Sequence, residues 1–210
     1  MLRDIRTDYQ KSELTEKSVN KDPIQQLIGW LNDAIADQKP DRNAMVLSTI
    51  NAEGNPDSRV VLLKELMPEG LVFFTNYNSK KGKQIAASGH VSVLFFWPEL
   101  ERQVRIKGIA EKIKEEDSEL YFKSRPLESQ LGAWASPQSE VIQNRQVLVD
   151  NYEHYERHFE SHEIRKPPFW GGFLIRPDYF EFWQGRSNRL HDRIEYSLTH
   201  QNWVIHRLAP

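Results

Sequence analysis

From residue 44 to residue 112 apolar residues recur at alternate positions, in short runs divided by turn formers, and no other feature constrains the fold as much. Runs at 44–50 and 58–64 flank Asn51, Ala52, Glu53, Gly54, Asn55 and Pro56, and predict a hairpin. A third run, 71–75, follows the turn at Met67, Pro68, Glu69 and Gly70. Two more, 90–97 and 102–112, follow a short helix at 80–88 that Gly89 ends. In the last run Val104, Ile106 and Ala110 alternate with Arg105, Lys107 and Glu111, so one face is wet. Successive short strands with only brief helices between them predict an antiparallel sheet that closes on itself. Strand character returns at 173–176, 179–183, 193–198 and 203–208, the last two joined by a turn at 199–202.

Helical spacing governs the intervening stretches. Asp22 and Pro23 supply an N-cap and a first-turn proline. Ile24, Leu27, Ile28, Leu31, Ala34 and Ile35 then form one apolar face until Lys39 and Pro40 stop it. A mainly helical lobe covers 115–165, with helices at 115–125 and 140–162, a break at Pro126, and Pro167 and Pro168 beyond it. Residues 1–21 are polar and aperiodic and read as a mobile N-terminal arm or lid. At 210 residues the chain is expected to form a single domain.

Lys and Arg number 28 against 30 Asp and Glu, a formal net charge of −2. A general nucleic-acid or anionic-membrane binder shows a basic excess, so an anion site here is expected to be local and sized for a small molecule. The absence of cysteine excludes disulfides, thiolate nucleophiles and Cys-ligated metals. No run approaches the ~18 apolar residues of a membrane span, and the N-terminus has no apolar signal region; the expectation is a cytoplasmic protein without membrane contact.

Four constellations stand out. Arg186, Arg189, His191 and Arg193 crowd into eight residues behind the aromatic run Tyr179, Phe180, Phe182 and Trp183. Guanidinium forks beside flat rings suit a planar anion, although the same segment also reads as a solvated hairpin tip balanced by Glu181, Asp192 and Glu195. Arg59 and Lys64 bracket four aliphatic residues and, five apart, belong on opposite faces of a strand. Lys80 and Lys81 open a helix, where cations oppose the helix dipole unless an anion sits at the free amides. Tyr121, Arg125 and Ser129 recur every fourth residue, with Pro126 interrupting the helix they would share. His154, His158 and His162 also recur at helical spacing, but among glutamates and without a metalloprotease motif, so they read as a wet helix face and no metal is expected. With phosphate grips and no evident internal nucleophile, the chain reads as one that borrows an organic cofactor.

Several blocks then align in order: Arg59, Val60, Val61, Leu62, Leu63, Lys64; Glu101, Arg102, Gln103, Val104; Ser124, Arg125, Pro126 with Ser129, Gln130, Leu131, Gly132, Ala133, Trp134; Phe169, Trp170, Gly171, Gly172, Phe173; and Phe182, Trp183, Gln184, Gly185 with Arg189, Leu190, His191, Asp192, Arg193. On these the chain resembles the pyridoxine/pyridoxamine 5′-phosphate oxidase family over nearly its whole length. The resemblance implies a mainly β fold with a helical lobe (α+β), the FMN-binding split β-barrel of antiparallel Greek-key type, as a homodimer with FMN at the interface. It implies Arg59, Lys80 and Lys81 at the FMN phosphate. Val60, Val61, Leu62, Leu63, Lys64, Phe74, Thr75, Gln103, Gln138, Ser139, Trp183 and Arg193 would line the rest of the cofactor, some from the partner subunit. Lys64, Tyr121, Arg125 and Ser129 would hold the substrate phosphate. Arg189 and His191 would be catalytic, covering the substrate ring, with Arg6 and Tyr9 closing over it. The implied reaction oxidises pyridoxine or pyridoxamine 5′-phosphate to pyridoxal 5′-phosphate and reduces O2 to H2O2, in vitamin B6 biosynthesis and salvage. The alternative is a non-catalytic split-barrel protein carrying flavin or haem, which has no use for the substrate grips.

Overall fold

The computed structural model describes residues 1–4, 8–36 and 40–210. Among them nine strands form one antiparallel sheet: β1 Ala44–Ile50, β2 Pro56–Leu62, β3 Glu65–Met67, β4 Gly70–Asn76, β5 His90–Trp97, β6 Arg102–Lys112, β7 Trp170–Gln184, β8 Asp192–Thr199 and β9 Asn202–Arg207. The helices are α1 Pro23–Ala36, α2 Lys80–Ser88, α3 Glu115–Ser124, α4 Leu127–Ala135 and α5 Gln146–Phe159. None of the helices among the described residues is long and apolar enough to cross a membrane.

The strand order is β2-β1-β5-β6-β7-β4-β3, so β2 and β3 lie at opposite ends of the ladder although only Leu63 and Lys64 separate them in sequence. The switch takes two consecutive amides: Leu63 N–H donates to Asn43 O and Lys64 N–H to Val72 O, each at 2.9 Å. The expected strand at 58–64 is thus broken at its end, and the break curls the sheet into a barrel. Alternation then fills the interior, burying Met45 and Leu47 of β1, Val91, Val93, Phe95 and Trp97 of β5, and Val104 and Ile106 of β6.

Strand β7 is continuous where the sequence predicts two strands. It pairs with β4 through residues 170–175 and with β8 through residues 179–184, while β6 runs along its other edge. Pro177, which cannot donate to a ladder, sits opposite Gly108 where the register of β6 shifts. A Cβ on Gly108 would lie 2.1 Å from Arg176 O, so only glycine lets the two chains close around the proline. The barrel splits at this point, and β8 and β9 extend from it.

Helix α1 covers the barrel with Ile24, Leu27, Trp30, Leu31 and Ala34, and Trp30 meets Phe182 edge-to-face at 5.2 Å. Trp30 replaces Ile28 and Ile35 in the buried stripe; those two fall on its flank and line a surface groove with Leu63 and Leu66. In the helical lobe α4 is a separate helix after Pro126, and α5 starts at Gln146, not at 140. Asn144 Oδ1 accepts Gln146 N–H, a local bond that competes with earlier helix. The N-terminal segment is fastened near its end: Leu14 is buried, its amide donates to Asp192 Oδ2, and Arg207 bonds Leu14 O, Glu16 and Asp192. Arg207 holds the Glu16 carboxyl at about 2.

Candidate functional site

A cleft of about 560 Å³ opens between the β2–β3 switch, the end of β4, the start of β7 and helices α3 and α4. That volume suits a small ligand. One wall is the outer edge of β2, where Val60, Val61 and Leu62 present aliphatic surface and Lys64 follows. Leu63 faces the core instead and is buried.

The first polar group gathers Lys64, Tyr121, Arg125 and Ser129, all lining this cleft. Tyr121 lies on α3, Arg125 caps its C-terminus, and Ser129 lies in the first turn of α4, its amide bonded to Pro126 O at 2.9 Å. Pro126 therefore ends one helix and starts the next without dispersing the trio. Arg125 rests on the face of Trp170, its guanidinium carbon 4.6 Å from the ring centroid. Its Nη1 is buried with no hydrogen-bond partner among the described residues. Burial pushes the Arg125 pKa down, against the influence of Tyr121. A buried guanidinium nitrogen without an acceptor calls for an anion from outside the chain.

The second polar group joins Thr75, Lys81 and Gln138. Thr75 Oγ1 donates to Gln138 Oε1 at 3.0 Å, and Lys81 Nζ reaches Thr75 Oγ1 at 3.2 Å and Gln138 Oε1 at 3.3 Å. Ser79 caps α2 by accepting Gly82 N–H, which leaves Lys80 and Lys81 in the first turn with no acidic residue there. Behind them Asp57 accepts from Arg59 Nη2 at 3.0 Å and Lys80 Nζ at 2.9 Å. The Lys80 bond, with Arg59 beside it, holds the Asp57 carboxyl below its usual range despite burial. Two cations thus share one carboxylate, and Lys81 stands beside them bonded only to Thr75 and Gln138 among the described residues. Burial, and then the charge of Arg59, lower the Lys81 pKa. This cationic surplus at a helix start, next to a flat aliphatic wall, fits the phosphate and ring of the expected FMN. Phe74 lines the cleft too, stacked on Tyr121 at 3.8 Å.

Other expected residues gather elsewhere in the protomer. Gln103, Trp183 and Arg193 are cross-strand neighbours on β6, β7 and β8. Arg193 Nε donates to Glu181 Oε1 at 3.0 Å, and Arg105 and Tyr179 donate to Glu181 Oε2. Burial raises the Glu181 pKa, but these donors outweigh it and hold the carboxyl below its ordinary value. Tyr9 sets its ring edge against Trp183 and His191, both at 5.7 Å. His191 Nδ1 accepts Arg186 N–H at 3.1 Å. Asn188 and Arg189 follow one another at φ of 56° and 61°, a left-handed pair uncommon for non-glycine residues, and Arg189 is exposed. None of Gln103, Trp183, Arg189, His191 and Arg193 lines the cleft, and neither does Ser139. Arg6 lies outside the described residues.

Trp170 and Asn76 line the cleft without having been expected there. Trp170 sits in one of the sequence blocks that carry the family resemblance, yet an aromatic at a strand start reads as core and carries no charge to mark it. The three histidines of the ladder are exposed, with His158 and His162 stacked at 5.2 Å.

A family model described as pyridoxamine 5′-phosphate oxidase matches residues 31–159. A second, the pyridoxine 5′-phosphate oxidase C-terminal dimerisation region, matches residues 170–210. The chain is 49% identical over 209 residues to a pyridoxine/pyridoxamine 5′-phosphate oxidase from Acidovorax sp. (strain JS42), covering 100% of this chain and 96% of the relative. It is likewise 49% identical to the enzyme of that name from Synechocystis sp. (strain ATCC 27184 / PCC 6803 / Kazusa), covering 100% and 98%. Among solved structures, PhzG from Burkholderia lata 383, in complex with tetrahydrophenazine-1-carboxylic acid, superposes with a TM-score of 0.88 at 27% identity, covering 94% of this chain and 98% of that one. A pyridoxamine 5′-phosphate oxidase-related, FMN-binding protein from Nostoc punctiforme PCC 73102 shares the fold at a TM-score of 0.71 and 16% identity, covering 92% and 99%.

Proposed function

Because this chain belongs to the pyridoxine/pyridoxamine 5′-phosphate oxidase family, we propose that it oxidises pyridoxine 5′-phosphate or pyridoxamine 5′-phosphate to pyridoxal 5′-phosphate, using FMN and O2, with water consumed and ammonia released when the substrate is the amine. FMN, when bound, supplies the two-electron acceptor and its reoxidation by O2 to H2O2. The observation that carries the reading is Arg125 Nη1, buried in the cleft and without an acceptor among the described residues.

Arg125, Lys64, Tyr121 and Ser129 bind the substrate phosphate: two cations and two hydroxyls match a dianion with three acceptor oxygens. Lys81, backed by Arg59 and Lys80, binds the FMN phosphate, and Thr75 and Gln138 supply hydrogen bonds beside it. Val60 and Leu62 exclude water along the flavin edge. Holding two rings in contact is most of what the protein must contribute, since a positioned pair reacts far faster than an encounter in solution.

Trp183, Arg193, Gln103, Arg189 and His191 act in the same reaction from a second subunit. Trp170 and Trp183 are thirteen residues apart on one strand, a contour of about 40 Å at the rise of a β-strand, and the Trp183 group does not line the cleft that Trp170 lines. A two-fold dimer brings one protomer's cleft to its partner's Trp183 group. This supports a homodimer with FMN in the interface, in keeping with the match to a dimerisation region. Arg189 and His191 then cover the substrate ring, with Tyr9 packed behind His191.

The test is direct. Purified protein given FMN, pyridoxine 5′-phosphate and air is expected to be yellow and to form hydrogen peroxide and pyridoxal 5′-phosphate in equal amounts. Protein that takes up no flavin, or a flavoprotein that forms neither product from either substrate, refutes the reading.

A further inference from the structure

Arg125 has few means of being held in place. It caps α3 just before Pro126, its Nη1 has no hydrogen-bond partner among the described residues, and no carboxylate acts on its guanidinium there. What it touches are ring faces: Trp170 at 4.6 Å and Phe122 at 5.7 Å. Trp170 is itself locked on three sides. Its indole lies nearly parallel to Tyr121 and Phe74, with interplanar angles of 5° and 15°, and meets Phe122 edge-on. Its carbonyl accepts from Lys166 Nζ at 2.8 Å, and that ammonium, only 2% exposed along its side chain, also bonds Glu115 Oε1 at 2.6 Å. A buried lysine thus ties the start of β7 to the start of α3. The glycine that follows lets the tie form closely, because a Cβ on Gly171 would lie 2.1 Å from Tyr77 Oη and 2.9 Å from Ser118 Oγ.

A guanidinium can be oriented by a carboxylate or by a ring face, and the two have opposite consequences for ligand binding. A carboxylate neutralises the cation and competes with an incoming anion. A neutral indole orients it and leaves its charge and outer nitrogens available. We propose that Trp170 is a positioning residue for substrate recognition: it beds the Arg125 guanidinium in the cleft so that an unneutralised cation meets the substrate's phosphate, and thereby sets the preference for phosphorylated over unphosphorylated vitamers. This deepens the phosphate reading of the cleft given above and rests on it.

The experiment measures steady-state oxidation of pyridoxine 5′-phosphate and of unphosphorylated pyridoxine by the FMN-loaded wild type and the variants Arg125→Ala, Trp170→Leu and Trp170→Phe. Trp170→Leu is expected to lower kcat/KM for the phosphorylated substrate, through KM, about tenfold more than it lowers kcat/KM for pyridoxine. Trp170→Phe keeps a smaller plane and is expected to lose only about threefold. In the Arg125→Ala background Trp170→Leu is expected to cost nothing further on this ratio. Equal losses on both substrates, or an undiminished loss in the double variant, overturn the inference, since a merely structural tryptophan behaves that way. If Trp170→Leu does not fold, the ratio is read on Trp170→Phe, where no change overturns it. If Arg125→Ala itself leaves the preference intact, the phosphate reading fails, and the inference falls with it.

Discussion

Arg59 and Lys64 stand five residues apart on almost one strand, and their side chains serve different neighbourhoods. Arg59 lies on Asp57, Thr49 and Gln84, whereas Lys64, placed where the amide ladder passes from β1 to β4, lines the cleft beside the Tyr121 and Arg125 group. The switch at Leu63 and Lys64 thus gives two separate cation sets, one for each phosphate in the proposed reaction.

Arg125→Ala is expected to raise KM for pyridoxine 5′-phosphate about 10- to 100-fold, the worth of a charge-assisted hydrogen bond in a desolvated cleft, with kcat changed far less. Arg125→Lys should recover only part, because an ammonium keeps the charge but loses the fork and the ring contact. Steady-state kinetics at saturating FMN decides it; an unchanged KM counts against the phosphate site.

Lys81 gives FMN binding a pH dependence. Burial and the charge of Arg59 lower its pKa from the ordinary 10.5, whereas a bound phosphate favours the protonated ammonium. FMN affinity should therefore decline on the alkaline side at a lower pH than an ordinary lysine would give, and Lys81→Arg should remove that decline. For the flavin-free protein the sign is reversed. The native state loses the proton before the unfolded chain does, so this lysine's contribution to stability rises as the pH climbs through its folded value. Flavin fluorescence titrations and thermal melts across the alkaline range read the two effects.

Glu181→Gln should destabilise the protein by about 2 kcal/mol at neutral pH, less than for a fully buried ion pair because Arg105 and Arg193 keep partial access to water. The carboxyl's folded pKa lies below the ordinary 4.5. Its contribution is therefore complete above that ordinary value and is lost as the pH falls through the folded one. Urea unfolding of wild type and variant should differ at neutral pH and converge in acid. A difference that persists in acid would show that the charge is not what matters.

Subunits should complement one another. Arg125→Ala disables the cleft of its own protomer, and Arg189→Ala the group it lends to the partner. Assayed at substrate well below the raised KM, a refolded equal mixture of the two impaired variants should contain half mixed dimers, each with one intact site, and so recover about a quarter of wild-type activity. No recovery would mean that both residues act within one protomer.

Much of the fold could be read from alternation and turn chemistry, because β1, β5 and β6 each bury one set of side chains, and β1, β4 and β5 are bounded by glycine, proline or asparagine. The continuity of β7 could not be read: Pro177 argues for a break, and the compensation lies at Gly108, some seventy residues away in the chain. The burial of Trp30 in place of Ile28 and Ile35 depends equally on where the barrel lies beneath α1. In the site, the every-fourth spacing of Tyr121, Arg125 and Ser129 survived the interruption at Pro126 because a new helix starts there. Trp170 escaped notice because its contribution is a flat surface and not a charge. That Trp183 and His191 lie apart from the cleft follows from the length of one strand, which no local pattern expresses.

The backbone tie at His191 has a chemical corollary. With Nδ1 engaged as acceptor by Arg186 N–H, the neutral imidazole carries its hydrogen on Nε2 and offers the outside a donor, not a lone pair. In the proposed reaction His191 is thereby placed to hand a hydrogen bond to the substrate ring from Nε2.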